Sequence, residues 1–168
     1  PEMRIVVPLP LMRLLSDFPH RAEALGPIAR IDTLPRSVVL SIEESALVGG
    51  MEAPVEAMHW LRGHGFQVAL ERFGIGLSSF HQLHRLPLDM VCIDRSFTET
   101  LDQGGRAAAI AQAIVEVGHG LGLQVWADQV ASEAQFRKLL ELGCDGVQGP
   151  WIGPALDAQA WHKHLQGR

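Results

Sequence analysis

The side chains of this sequence that could do chemistry fall in five short polar clusters, each directly after an apolar run. Glu43-Glu44 follow Val38–Ile42, Glu71-Arg72 follow Val68–Leu70, and Asp94-Arg95 follow Met90–Ile93. Asp128-Gln129 follow Gln124–Ala127, and Gln148-Gly149 follow Gly146-Val147. In a parallel barrel, reactive groups gather at the C-terminal ends of the strands and in the loops beyond them. Acidic and amide side chains at successive strand ends can therefore converge on one mouth. The plainer reading is that Asp and Glu follow strands as helix N-caps and loop residues.

Other residue groups carry less. Gly74-Ile75-Gly76 with Ser79 follows a strand and opens a helix, which outwardly suggests a phosphate cradle. A dinucleotide fingerprint wants a third glycine where Ser79 stands and a matching acidic residue downstream. His81 and His84 sit three apart on an expected helix, and His162 and His164 lie near the C-terminus. Neither pair has a third ligand, so packed or solvated helix faces are favoured over a metal site. Trp60, Trp126, Trp151 and Trp161 read as core or interface. Cys92, behind an apolar strand with no basic partner, reads as a packed small side chain rather than a nucleophile.

The elements that must position these groups repeat one grammar: helix, glycine stop, short apolar strand. Gly65 precedes the strand Phe66–Leu70, Gly122 precedes Leu123–Ala127, and Gly143 precedes Cys144–Gln148. Glycine just past a helix supplies the left-handed conformation that residues bearing a Cβ resist. Ile5–Leu9, Val38–Ile42 and Met90–Ile93 read as further strands. Helices are expected at Arg21–Ile31, Val55–Arg62, Ser79–Leu86, Ala107–Gly118, Glu133–Leu142 and Ala158–Leu165. Ser132 and Gln135 form a capping-box pattern ahead of Glu133–Leu142. Alternating strands and helices mean βα units and a parallel sheet. Periodicity alone does not separate an open doubly wound sheet from a closed or partial barrel.

The 168 residues are 47% hydrophobic, enough for one core, and no linker divides them. Fourteen basic against 19 acidic residues give a net charge of −5, which argues against DNA or RNA as partner, since phosphate binding needs clustered Lys and Arg. No apolar run approaches the roughly 20 residues that span a bilayer, so no membrane contact is expected from this segment. Two cysteines outside any C-x-x-C pattern indicate a reducing, cytoplasmic compartment without a disulfide framework or zinc site. The chain begins at Pro1 rather than Met, as the soluble part of a longer multidomain protein would.

Five ordered segments resemble the bacterial EAL domain, the cyclic-di-GMP phosphodiesterase family. Ser41-Ile42-Glu43-Glu44-Ser45-Ala46-Leu47 is similar to its E-I-T-E-S-x-L, and Glu71-Arg72-Phe73-Gly74-Ile75-Gly76-Leu77-Ser78-Ser79 to its D-D-F-G-T-G-Y-S-S loop. The run from Arg85 to Phe97, RLPLDMVCIDRSF, resembles R-L-P-x-D-x-x-K-I-D-R-S-F. Ala127–Ser132 lies where the family has A-E-G-V-E-T, and Leu142–Gly149 looks like L-G-C-D-x-x-Q-G. The resemblance implies an α/β fold, a (β/α)8 TIM-like barrel of the EAL type. It is incomplete here, with about six βα units and the first two strands missing, among them the Glu-Ala-Leu strand. Residues 1–168 would then be a single degenerate EAL-like domain, the C-terminal three-quarters of the barrel. An open barrel exposes strand edges, so further upstream sequence or a closing partner segment is expected.

The family's enzymes hold two divalent metals with carboxylates and amides, and the resemblance places degenerate residues at those positions. The family Asn falls on Pro8, its paired Asp residues on Glu71 and Arg72, its Lys on Cys92 and a metal-binding Glu on Asp128; a second Glu falls on Ala131. Glu44, Asp94 and Gln148 match unchanged. A fixed cation at Arg72 about 4 Å from a divalent ion would cost roughly 8 kcal/mol at an effective dielectric of 20, an upper bound if the side chain swings away. No catalytic residue, metal or cofactor is therefore expected. The implied function is a catalytically inactive regulatory or protein-interaction domain of cyclic-di-GMP signalling, working through a protein partner or a homodimer centred near Gly76–Leu86 and Ser96–Leu101. One alternative is a receptor binding cyclic di-GMP without hydrolysis, with Glu44, Arg72, Asp94, Gln148 and Trp151 as contacts; Arg72 would then meet phosphate and Trp151 stack on guanine. The other is a residual phosphodiesterase using Glu44, Glu71, Asp128 and Gln148 with Mg²⁺ or Mn²⁺.

Overall fold

The structure is a computed structural model, and it describes residues 5–10, 38–47, 50–75, 83–157 and 159–160. Six strands form one sheet in sequence order: β1 (Ile5–Pro8), β2 (Val38–Glu43), β3 (Gln67–Phe73), β4 (Met90–Ile93), β5 (Gln124–Ala127) and β6 (Gly146–Val147). Every pairing is parallel. Among the described residues the helices are α1 (Glu52–Gly63), the single turn α2 (Arg95–Thr98), α3 (Gly105–Gly120) and α4 (Glu133–Leu142), with 3₁₀ turns at Glu44–Leu47 and Leu101–Gln103. The sheet is curled into an incomplete barrel, whose β1 and β6 are not paired with each other. The expected helix at Arg21–Ile31 lies outside the described residues, as do residues 79–82 of Ser79–Leu86 and all of Ala158–Leu165 except residues 159–160.

Side chains alternate across a strand, and here that period separates two cores. Leu40 and Ile42, Val68 and Leu70, Val91 and Ile93, and Val125 and Ala127 face the helices and join one large buried cluster with Met58, Leu61, Ile114 and Leu139. The opposite parity faces the barrel interior, where Val39, Ala69 and Met90 pack with Val6 and Trp126. A Cβ on Gly146 would collide with the Trp126 indole, so β6 needs glycine for this ring to lie across it. Continuing the interior parity to the strand ends gives Ser41 and Glu43, Glu71, Cys92 and Asp94, Asp128, and Gln148. The alternation that buries the core thus aims the polar groups at one mouth.

One strand departs from strict alternation. Leu70 pairs with Val91, but Phe73, not Arg72, pairs with Ile93, so β3 carries one residue more than β4 opposes. Arg72 takes this extra position with φ 57°, in the left-handed region that residues with a Cβ rarely adopt. Its insertion returns Phe73 to the helix side, where it is buried.

The opposite end of the sheet holds two equivalent clamps. Asp89, just ahead of β4, accepts the Val68 N–H at 2.9 Å and an Arg62 N–H from the end of α1 at 3.0 Å. Asp145, just ahead of β6, accepts the Val125 N–H at 2.7 Å, and Nε2 of His119 from the end of α3 lies 2.9 Å from the same oxygen. Partial burial tends to raise the Asp145 pKa, but the Val125 and His119 bonds outweigh it and hold the carboxyl below the usual aspartate range. A depressed pKa stabilises the fold above the unfolded value, and the contribution disappears as pH falls through the folded one. Asp145→Asn should therefore cost about 1 kcal/mol at pH 7, discounted for the exposure of the side chain, and the cost should vanish at strongly acidic pH. Urea denaturation across that range measures it; a deficit unchanged with pH would contradict the clamp.

Candidate functional site

A cavity of about 260 Å³ opens at the C-terminal ends of β3 to β6, lined among others by Glu71, Arg72, Cys92, Asp94, Asp128 and Gln148. Two arginines line it, Arg72 and Arg95, and Arg72 lies against two carboxylates. Arg72 Nε lies 3.5 Å from Asp94 Oδ2, and Nη1 lies 3.7 Å from Glu43 Oε1. Asp94 is 4% exposed and caps α2, its Oδ1 accepting the Ser96 N–H at 2.9 Å. Burial alone would raise the Asp94 pKa; the Ser96 bonds and the Arg72 charge overcome it and keep the carboxyl below its ordinary range. The bulge in β3 is what brings Arg72 to this side, since strict alternation would send it towards the helices.

Across the cavity, Gln148 donates to Asp128 Oδ1 at 3.0 Å, and the Gln129 N–H donates to the same oxygen at 2.7 Å. Cys92 is buried on β4, which lies between β3 and β5. Desolvation first, then the charges of Asp128 and Glu71, push its thiol well above the usual cysteine value, so it stays protonated. Cys144 is pushed up to about 12, chiefly by burial. Both cysteines are free.

Two residues expected to meet a ligand are directed elsewhere. Glu44 is 3% exposed and accepts the Gly74 N–H at 3.2 Å, so its carboxylate serves the glycine turn and does not line the cavity. A Cβ at Gly74 would sit 2.8 Å from the Phe97 ring, and its φ of 102° is itself a glycine conformation. The reason for the redirection is parity: Glu43, not Glu44, shares the interior face of β2. Trp151 also stays outside the cavity, its ring packed on Phe136 of α4 with centroids 4.7 Å apart. Pro8 lies at the end of β1, away from Asp128 and Gln148. Glu43 is among the strand-end acids of the sequence, but the motif points to Glu44; counting in steps of two from Val39 separates the two. Of the histidine pairs, His81, His162 and His164 lie outside the described residues. Among the described residues, no three His, Cys, Asp or Glu side chains are disposed to share a metal ion. No helix among them is long and apolar enough to cross a membrane.

A curled parallel sheet with polar strand ends gathered at one mouth defines a (β/α)-barrel protein of the TIM type. The family model described as EAL domain matches residues 14–155. MucR of Pseudomonas aeruginosa, a bifunctional diguanylate cyclase/cyclic di-GMP phosphodiesterase, is 34% identical over 125 residues, 74% of this chain and 18% of that protein. A structure of the MucR phosphodiesterase in complex with c-di-GMP superposes with a TM-score of 0.82 at 30% identity, covering 93% of this chain and 63% of that one. The EAL domain of Mycobacterium smegmatis DcpA gives a TM-score of 0.83 at 33% identity, covering 98% and 73%. This chain belongs to the EAL domain family. It spans less than a fifth of the length of curated relatives such as MucR.

The left-handed Arg72 yields a test that separates backbone from charge. Arg72→Gly and Arg72→Ala both remove the guanidinium, but only glycine accepts φ 57° without a Cβ clash. Arg72→Gly should be the more stable variant by about 1 kcal/mol in urea denaturation. Equal stabilities would contradict the bulge.

Proposed function

We propose that this chain is a catalytically silent EAL domain that acts in bacterial cyclic-di-GMP signalling as a regulatory, protein-interaction module. The observation that carries the proposal is the Arg72 guanidinium, paired with Glu43 and Asp94 at the barrel mouth. Two-metal hydrolysis needs a cluster of anionic oxygens to hold both ions and activate water. Here the chain's own cation takes up part of that negative charge, and the carboxylate of Glu44 is tied to a backbone turn. Asp128 and Gln148 spend hydrogen-bonding capacity on each other. The remaining donors do not fit a pair of divalent ions.

Membership of the family supports the signalling context, and the free cysteines suit a cytoplasmic site of action. The receptor reading draws on the MucR complex with c-di-GMP and on Arg72 and Arg95, which line the cavity and could meet phosphate. The interaction reading is preferred because Arg72 is already committed to two carboxylates. A homodimer is a compatible form of it.

Incubation of the 168-residue protein with cyclic di-GMP and Mg²⁺ or Mn²⁺, followed by chromatography, should yield no linear pGpG above a Glu71→Gln control. Product that accumulates with the parent protein and not with the control would overturn the proposal.

A further inference from the structure

A second cavity, of about 280 Å³, lies beside the first, at the ends of β1 to β3. Its walls are apolar: Pro8, Leu9, Pro10 and Ala46. Its polar groups are Ser41, Glu43, Ser45 and Glu71; Ser41, Glu43 and Glu71 lie on the interior parity of their strands, with Glu43 and Glu71 side by side in the sheet register. Like charges directly opposite in a sheet destabilise it unless something answers them. Glu43 is answered in part, by the Ser45 hydroxyl at 2.9 Å and by Arg72 at 3.7 Å. Glu71 has no hydrogen-bond or ion-pair partner among the described residues.

Ser41 adds an independent observation. It is 1% exposed, and its hydroxyl makes no hydrogen bond, although it lines this cavity. A buried polar atom without a partner costs stability, and such an orphan marks a place where a ligand group completes the site. The missing group must satisfy a hydroxyl and a carboxylate together while its body lies against proline, leucine and alanine.

We propose that this cavity takes a basic side chain, arginine above all, from the protein partner. The aliphatic stem suits the apolar wall, and the guanidinium fork can donate to both Glu71 oxygens while a remaining N–H reaches Ser41 Oγ. An anionic dinucleotide is disfavoured, because the two glutamates would face its phosphates. A divalent ion is disfavoured by Pro8 and Ser41, which offer no charge. The inference rests on the interaction reading above and names the chemistry of the partner that reading requires.

The test is ¹⁵N NMR of the full chain titrated with Nα-acetyl-arginine methylamide and, separately, with its neutral citrulline counterpart. The arginine compound should shift the Leu9, Ser41 and Glu71 amides saturably, with the citrulline compound about tenfold weaker. Glu71→Gln should abolish the difference between the two, whereas Asp128→Asn, in the neighbouring cavity, should preserve it. Equal shifts by both compounds, or none, would overturn the inference and leave catalytic silence standing. Tighter saturation of the same amides by Mg²⁺ or by cyclic di-GMP would also overturn it. Formation of pGpG in the cyclic di-GMP arm would remove the reading beneath it as well.

Discussion

A guanidinium held between two carboxylates governs the mouth of this barrel, and it is there because β3 contains one residue too many for its neighbour. Without the bulge, Arg72 would point at the helices and Phe73 at the cavity. With it, Phe73 stays in the core and Arg72 reaches Asp94 and Glu43. The left-handed backbone at Arg72 costs energy, and the apolar burial of Phe73 together with the ion pairs offsets it. Asp94 then does two things, anchoring Arg72 and capping α2, so the short helix and the charge arrangement depend on the same carboxylate.

The two ends of the sheet divide stability and function between them. At the strand starts, Asp89 and Asp145 each join a strand N–H to the side chain that ends the preceding helix, and so fix the α1–β3 and α3–β5 connections in the same way. At the strand ends, the same class of side chain is placed over open cavities. This is the usual division in parallel barrels, where the C-terminal face carries the chemistry. In this chain that face keeps its polar residues, but they are largely turned towards one another.

Much of the fold could be read from the sequence because its signals are local. The apolar run Met90–Ile93 and the Ser132–Gln135 capping box place β4 and α4 at the residues observed. The six-unit EAL barrel follows from five motifs in order, and the superpositions agree with it. The site was less legible. Motif matching favoured Glu44 because the letter agreed, while the parity of β2 puts Glu43 on the mouth and Glu44 under the glycine turn. Trp151 follows a conspicuous Gln-Gly pair, yet its packing on Phe136 depends on a helix more than a turn upstream, which spacing along the chain does not disclose. The Arg72 bulge is a property of two strands in register, and one strand's sequence contains no sign of it.

We propose that the barrel mouth, which has its own cation, does not retain a pair of dications. Electron paramagnetic resonance of Mn²⁺ titrated into the protein tests it directly, because bound Mn²⁺ loses the sharp signal of the free ion. The signal should grow with added Mn²⁺ as it does in buffer, and binding should become measurable only after Arg72→Asp places a carboxylate there. Loss of about two equivalents of free-ion signal by the unaltered chain would contradict it.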